Sequence, residues 1–221
     1  MAVKIDAYGA CIHKYGEELC GDQVKIIRNE PGVTAILADG ISGGAKASLL
    51  TSFAVKMMTA MCGSGAPVDR TADLIAESQP AGGQLGGAGN IAFTLIRALC
   101  DGKIYVEQFE TPEVILLRRG KLVPMEMTRR KLGDKTIRGG EITAEQADTV
   151  IAVNSGMLNA GAERNLKNGW GTHTIAAYMA NAYNPRGSAE NLVRLLLAAG
   201  NSLSFGRPKN DLSALVFRVG Q

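Results

Sequence analysis

Ala35-Ile-Leu-Ala-Asp-Gly-Ile-Ser-Gly-Gly44 runs an apolar segment into an acidic turn and then into a helix start. Val33 to Ala38 is β-branched and aliphatic enough to predict a buried strand, while Gly40, Gly43 and Gly44 permit positive φ and close backbone approach to a bound group. Ala45 to Met61 then reads as a helix, with Leu49, Leu50, Phe53, Met57 and Met61 as its apolar stripe. Asp39 therefore stands at the carboxyl end of a core strand, beside backbone groups freed by glycine. That is a setting for a hard cation or a phosphate. Asp-Gly after a strand is equally a common hairpin or turn signal, and on this stretch alone the turn is the stronger reading.

A chain of 221 residues with 46% hydrophobic content can bury a sizeable core, and no composition break divides it, so a single domain over 1–221 is expected. The net charge is +3 and the 24 basic residues are spread along the chain, which gives no support to a nucleic-acid or membrane-surface role. The opening Met-Ala-Val-Lys-Ile-Asp lacks the order of a signal peptide, and no apolar run is long enough to span a bilayer. A cytoplasmic location is the expectation. Cys11, Cys20, Cys62 and Cys100 form no C-x-x-C pair, and His13 and His173 are the only histidines, so free thiols are expected in place of zinc or disulfides.

Outward from the acidic turn, Ile5 to Ile12 and Val24 to Arg28 read as strands that form a first antiparallel meander with Val33 to Ala38. Asp69 to Ser78 is a second helix. The Gly-rich segment Gln79 to Asn90 fits neither G-x-G-x-x-G nor G-x-x-x-x-G-K-[ST], so a loop is the reading there. Ile91 to Leu99, Lys103 to Phe109, Val114 to Arg118 and Lys121 to Pro124, separated by tight turns, read as a second antiparallel meander. The basic clusters Arg118, Arg119, Lys121 and Arg129, Arg130, Lys131 suit solvated sheet edges. Asp148 to Val153 is another strand, ending in Asn154-Ser-Gly156. Leu158 to Lys167, Thr174 to Ala182 and Ser188 to Leu203 read as helices, the last with Ser188 as N-cap. Asn210-Asp-Leu-Ser213 leads into a closing strand, Ala214 to Val219.

The order Gly21-Asp22, Leu37-Ala-Asp-Gly40, Asn154-Ser-Gly156 and Lys209-Asn-Asp-Leu-Ser213 resembles the PPM family of metal-dependent protein phosphatases, in particular its sporulation stage II protein E type. The resemblance extends over nearly the whole chain and implies an α+β fold, a four-layer α-β-β-α sandwich of two antiparallel sheets flanked by helices. It further implies a pair of manganese or magnesium ions and hydrolysis of phosphoserine or phosphothreonine by metal-activated water. Carried over, Asp39 would bridge both metals, the Gly40 carbonyl would ligate the first, and Asp22 would hold water on it. The family's aspartate in the third motif is Ser155 here, and in the fourth the ligand position is Asn210, followed by Asp211.

Serine and asparagine are neutral, so the charge that draws a second dication out of water is missing on that side. One ion in place of two is the expectation. Asp211 would compensate only if turned inward, which strand alternation argues against. Two readings follow: a serine/threonine phosphatase of reduced activity, or a pseudophosphatase that binds a phosphoprotein without cleaving it. By the same resemblance the partner is a phosphorylated regulatory protein of a bacterial partner-switching circuit. His13 and His173, without carboxylate partners in sequence, read as surface or packing residues, and Trp170 as a packing anchor.

Overall fold

The computed structural model describes residues 3–40, 44–79, 90–162 and 166–220. Its strands form two antiparallel sheets. The first contains β1 (Ile5–Ile12), β6 (Ile115–Arg118), β7 (Lys121–Val123), β10 (Thr149–Val153) and β11 (Leu212–Val219), in the order β1-β11-β10-β6-β7. The second contains β2 (Gln23–Asn29), β3 (Gly32–Gly40), β4 (Ile91–Leu99), β5 (Lys103–Phe109), β8 (Thr128–Leu132) and β9 (Lys135–Thr143), in the order β2-β3-β4-β5-β9-β8. Helices α1 (Gly44–Gly63) and α2 (Val68–Glu77) cover the second sheet. The short α3 (Ser155–Leu158), α4 (Thr172–Asn181) and α5 (Ala189–Leu203) lie on the side of the first.

Strand alternation accounts for the layering, because successive side chains point to opposite faces. Ala35 and Leu37 of β3 enter the core between the sheets, with Leu215 and Phe217 of β11, while Ile36 and Ala38 face Met58 of α1 and Ile75 of α2. In β10, Val150 and Ala152 face between the sheets, and Ile151 and Val153 face Leu196 and Val193 of α5. Both faces of the central strands are thus buried, which is why they read as unbroken apolar runs. Each fully buried Phe, Ile or Leu contributes about 1.5–3 kcal/mol. The result is four layers, α-β-β-α.

The helices bury residues at i, i+3, i+4, i+7 and i+8: Val68, Thr71, Ala72, Ile75 and Ala76 in α2, and Ala189, Leu192, Val193, Leu196 and Leu197 in α5. In α5 Ser188 is the N-cap, its side chain accepting the Asn191 amide. Helix α1 departs from the sequence reading. Its buried face is Ala47, Thr51, Ala54, Val55, Met58 and Cys62, while Leu49 and Phe53 of the expected stripe are 70% and 65% exposed. A helix apolar on nearly every side carries no periodic signal to choose its buried face.

Other expectations are corrected. β1 does not pair with β2 but with β11, in the register Ile5↔Val219 to Ile12↔Leu212. The second meander is split: β4 and β5 continue the sheet of β2 and β3, whereas the chain crosses after β5 so that β6 and β7 join the other sheet. The crossover is held by Gln108, whose amide donates to Thr111 Oγ1 and to the Pro112 carbonyl. β8 and β9 were not anticipated, since Arg129-Arg-Lys131 and Gly139-Gly140 carry no strand signal. The helix expected over Leu158 to Lys167 ends at Leu158 among the described residues, where Asn159 to Ala162 form turns and Gly161 has φ +79°. Residues 163–165 of that span, the loop residues 80–89 and Gly43 of the opening stretch lie outside the described residues. Of the basic clusters, Lys121 and Arg129 to Lys131 fall on the edge strands β7 and β8, whereas Arg118 lies on the inner strand β6, and Arg118 and Arg130 are not simply solvated but ion-paired with Asp148 and with Asp73 and Glu107. No helix among the described residues is long and apolar enough to cross a membrane.

Candidate functional site

The two sheets bring four segment ends together: the turn before β2, the end of β3, the junction from β10 to α3, and the entry to β11. Asp39, next to last in β3, is half-buried and accepts from Ser155 across the gap between the sheets, from Oγ at 2.8 Å and from the backbone amide at 3.3 Å, both to Oδ2. Asp22 is buried. Its Oδ1 accepts the Gly40 amide at 3.2 Å, and its Oδ2 accepts the Asn154 side-chain amide at 2.8 Å and the Ser213 hydroxyl. Gly40 has no room for a side chain, because a Cβ there would lie 2.7 Å from the Gly21 carbonyl oxygen and 2.8 Å from Ala47 Cβ.

Asn154 organises the far side. It donates to Asp22 and, at 2.7 Å, to the Asp211 carbonyl, while its own carbonyl accepts the amides of Met157 at 3.0 Å and Ser213 at 3.1 Å. It is the N-cap of α3 and only 1% exposed. Gly156 follows because a Cβ there would lie 2.0 Å from the Asp211 carbonyl oxygen.

The pair Asn210-Asp211 is oriented against the sequence expectation. Asp211 is buried, with Oδ1 accepting the Lys14 amide at 2.7 Å and Oδ2 the Gly21 amide at 2.6 Å. Asn210 is exposed and lines a cavity of about 270 Å³ with Gly156, Asn159, Arg207 and Lys209. Alternation still holds, but the turn before β11 gives the inward place to the second residue of the pair. The ligand atoms of Cys20, Asp22 and Asp211 all lie within 4.8 Å of one another.

Burial, then the charges of Asp39 and, to a lesser extent, Asp211, push the Asp22 carboxyl up to about 8 despite the Ser213 hydroxyl. Three carboxyl side chains are gathered here, while Arg118, Arg130, Arg138 and Arg194 form their ion pairs elsewhere in the fold. The oxygens of the three carboxyls are hard donors of the kind that suits a divalent cation.

No family model matches the chain, and no curated protein matches it. Solved structures do. The phosphatase domain of the cell fate determinant SpoIIE from Bacillus subtilis matches at a TM-score of 0.73 and 13% identity, over 100% of this chain and 94% of that one. RsbX, solved in complex with magnesium, matches at a TM-score of 0.70 and 11% identity, over 99% and 98%. The SiaA-PP2C domain of Pseudomonas aeruginosa matches at 0.73 and 18%, over 95% and 85%. The fold is that of a PPM/PP2C-type phosphatase domain. Within that PP2C-type sandwich, the structure brings Asp22, Asp39, Gly40, Ser155 and Asp211 to one end, with Asn210 on the adjoining cavity. His13 and His173 are exposed, and Trp170 packs edge-on against Tyr178 with ring centroids 5.3 Å apart. Sequence reasoning gave no role to Asn154, Ser213 or Thr51. The signal available for Asn154 was its type, a good N-cap directly before Ser-Gly.

Proposed function

We propose that residues 1–221 act as one PPM-type domain directed at phosphoserine or phosphothreonine of a regulatory protein, with hydrolysis weakened by Ser155 and Asn210. The observation that carries this is the asymmetry of the site. Asp22 and Asp39 offer carboxylate oxygens and Gly40 a backbone carbonyl, all hard donors suited to magnesium or manganese. Facing them, Ser155 is a hydroxyl that hydrogen-bonds Asp39 directly, at 2.8 Å. Two carboxylates at that separation would repel unless a cation lay between them, whereas serine and aspartate attract without one. One cation therefore fits the Asp22, Asp39 and Gly40 side, and a second is disfavoured.

A bound ion supplies Lewis acidity toward a water and a phosphoryl oxygen. The chain's own residues define the rest: Asp39 would anchor the cation, Ser155 fixes that carboxylate's orientation, and Asp22, held by Asn154 and Ser213, would orient a water beside it. The RsbX structure with magnesium supports the choice of a hard dication. The likeness to SpoIIE, a cell fate determinant, supports a regulatory phosphoprotein partner. The Ser155–Asp39 hydrogen bond also favours a second reading, a pseudophosphatase that binds such a partner without turnover, since it occupies an acceptor otherwise available to a metal.

One experiment separates the readings. The double variant Ser155→Asp, Asn210→Asp is compared with the parent for manganese binding by calorimetry and for hydrolysis of a phosphoserine peptide. We expect the parent to bind one ion with low turnover and the double variant to bind two, with at least tenfold faster hydrolysis. A parent with two ions and turnover equal to the variant would overturn the proposal. A parent with one ion and no turnover would select the binding module.

A further inference from the structure

We propose that a cavity on the helix-facing side of the second sheet, at the opposite end of β3 from Asp39, binds a dipeptide-class zwitterion through Glu107 and Arg97. This goes beyond the phosphatase reading and does not depend on it. β3 and β4 pair with Asp39 opposite Ala92 at one end and Gly32 opposite Leu99 at the other, so the two ends lie about 23 Å apart at 3.3 Å per residue. The first turn of α2 stands over the Leu99 end without filling it. A cavity of about 750 Å³ opens there between Pro31, Pro67 and Val68 on one side and Leu99, Tyr105 and Gly139 on the other. That volume falls within the about 300–1,000 Å³ of small-molecule sites.

The cavity floor holds two polar groups with capacity to spare. Glu107 of β5 is only 6% exposed. Its Oε2 accepts from Arg130 at 3.0 Å, while Oε1 has no hydrogen-bond partner among the described residues. Gly139, its partner on β9, makes the room for that oxygen, because a Cβ there would lie 2.6 Å from Oε1. A buried carboxylate oxygen without a donor is costly, so a donor brought by a ligand is favoured. Arg97 of β4 pairs with Tyr105, lines the same cavity diagonal to Glu107, and enters no ion pair among the described residues. Diagonal neighbours stand about 7–8 Å apart, which one small molecule can span. The walls are fixed in advance: Arg130 also grips Asp73 of α2 at 2.6 Å, and Lys135 Nζ donates to the Ala76 carbonyl at 2.8 Å, so α2 is tied to β8 and β9.

Charge narrows the ligand class. Arg130 is committed to Asp73 and Glu107, and Lys103 to Glu141. What is left is Asp69, Glu126 and the free Glu107 oxygen against Arg97. A plain anion meets those carboxyls, and a plain cation meets Arg97. A molecule with an ammonium at one end and a carboxylate at the other satisfies both sides. Between them Leu99, Val68, Pro67 and Tyr105 receive an uncharged body, and a dipeptide with apolar side chains has this form.

The test uses the full chain without added metal and leucyl-leucine as the probe, followed by calorimetry. We expect saturable binding at one site, weakened at least about tenfold when the probe is N-acetylated or C-amidated, since each change removes one charge. Glu107→Gln and Arg97→Gln should each weaken binding to a similar degree. Gly139→Ala keeps both charged residues and displaces only the Glu107 carboxyl, the flexible end of its side chain, so it should weaken binding while circular dichroism matches the parent. Backbone NMR signals of Val68 and Gly139 should shift on saturation and those of Asp39 and Ser155 should not. No binding at millimolar probe, equal binding of the capped forms, unchanged binding in all three variants, or shifts centred on Asp39 would overturn the proposal. None of these readouts involves phosphate hydrolysis, so a failed phosphatase assay leaves the test standing.

Discussion

Asn154 is the residue on which the site turns, because one neutral amide satisfies a buried carboxylate, the Asp211 carbonyl and two backbone amides at once. Its replacement by alanine leaves the Asp22 carboxylate one donor short and the Met157 and Ser213 amides without their acceptor. Each buried polar group left unpaired costs about 1–3 kcal/mol. Asn154→Ala should therefore destabilise by about 2–4 kcal/mol in urea unfolding, and a loss under 1 kcal/mol would deny it the central place. A second residue carries a pH signature away from the site. Glu107 on β5 is buried beneath Arg130, which bonds it at 3.0 Å and Asp73 at 2.6 Å. Burial raises the Glu107 carboxyl above its ordinary 4.5 even though Arg130 pulls the other way. A group whose pKa is raised on folding contributes stability that is fully present below its unfolded value and is lost as pH rises through the folded one. Thermal stability measured upward from pH 4.5 should thus decline less steeply in Glu107→Gln than in the parent. Equal slopes would mean that Arg130 neutralises the site completely.

At the level of elements, the site is made by ends. β3 delivers Asp39 and Gly40, β10 hands over to α3 at Asn154, and β11 begins just after Asp211, so the spacing of these junctions decides whether the carboxylates converge. Gly156 is the tightest of them, since its missing side chain is what lets α3 lie against the backbone of residue 211. Gly156→Ala should push α3 off β11 and remove manganese binding at the Asp39 side, seen by calorimetry, while the strands persist in circular dichroism; retained binding would mean the junction can give way. Helix α5 is a control at the opposite extreme. Ser188 caps it with a 3.1 Å bond to the Asn191 amide, so Ser188→Ala should cost about 1 kcal/mol and leave metal binding unchanged.

For the whole molecule, three apolar cores lie between four layers, and the order of the strands gathers Asp22, Asp39 and Asp211 at one end. A dication that binds only the folded chain should stabilise it by about 2.7 kcal/mol at a hundredfold excess over its Kd. Thermal unfolding with manganese against a chelator measures this, and Asp39→Asn should abolish the shift; an equal shift in the variant would place the ion elsewhere. Much of this architecture was legible in the chain: apolar runs and turns marked nine of the strands closely, the capping serine of α5 was read correctly, and the four short motifs pointed to the PPM resemblance and its sandwich. What those signals share is that they are local, set by side-chain period, β-branching and glycine or proline at turns. The pairing of β1 with β11, the passage of β6 and β7 to the other sheet, and the outward face of α1 were decided only in three dimensions. They depend on which apolar face finds a partner far away in sequence, and a uniformly apolar segment does not encode that choice. The same holds at the site: the sequence supplied Asp22, Asp39, Ser155 and Asn210, but only the packed turn before β11 gave Asp211 the inward place, because backbone amides at Lys14 and Gly21, nearly the whole chain away, were there to receive it.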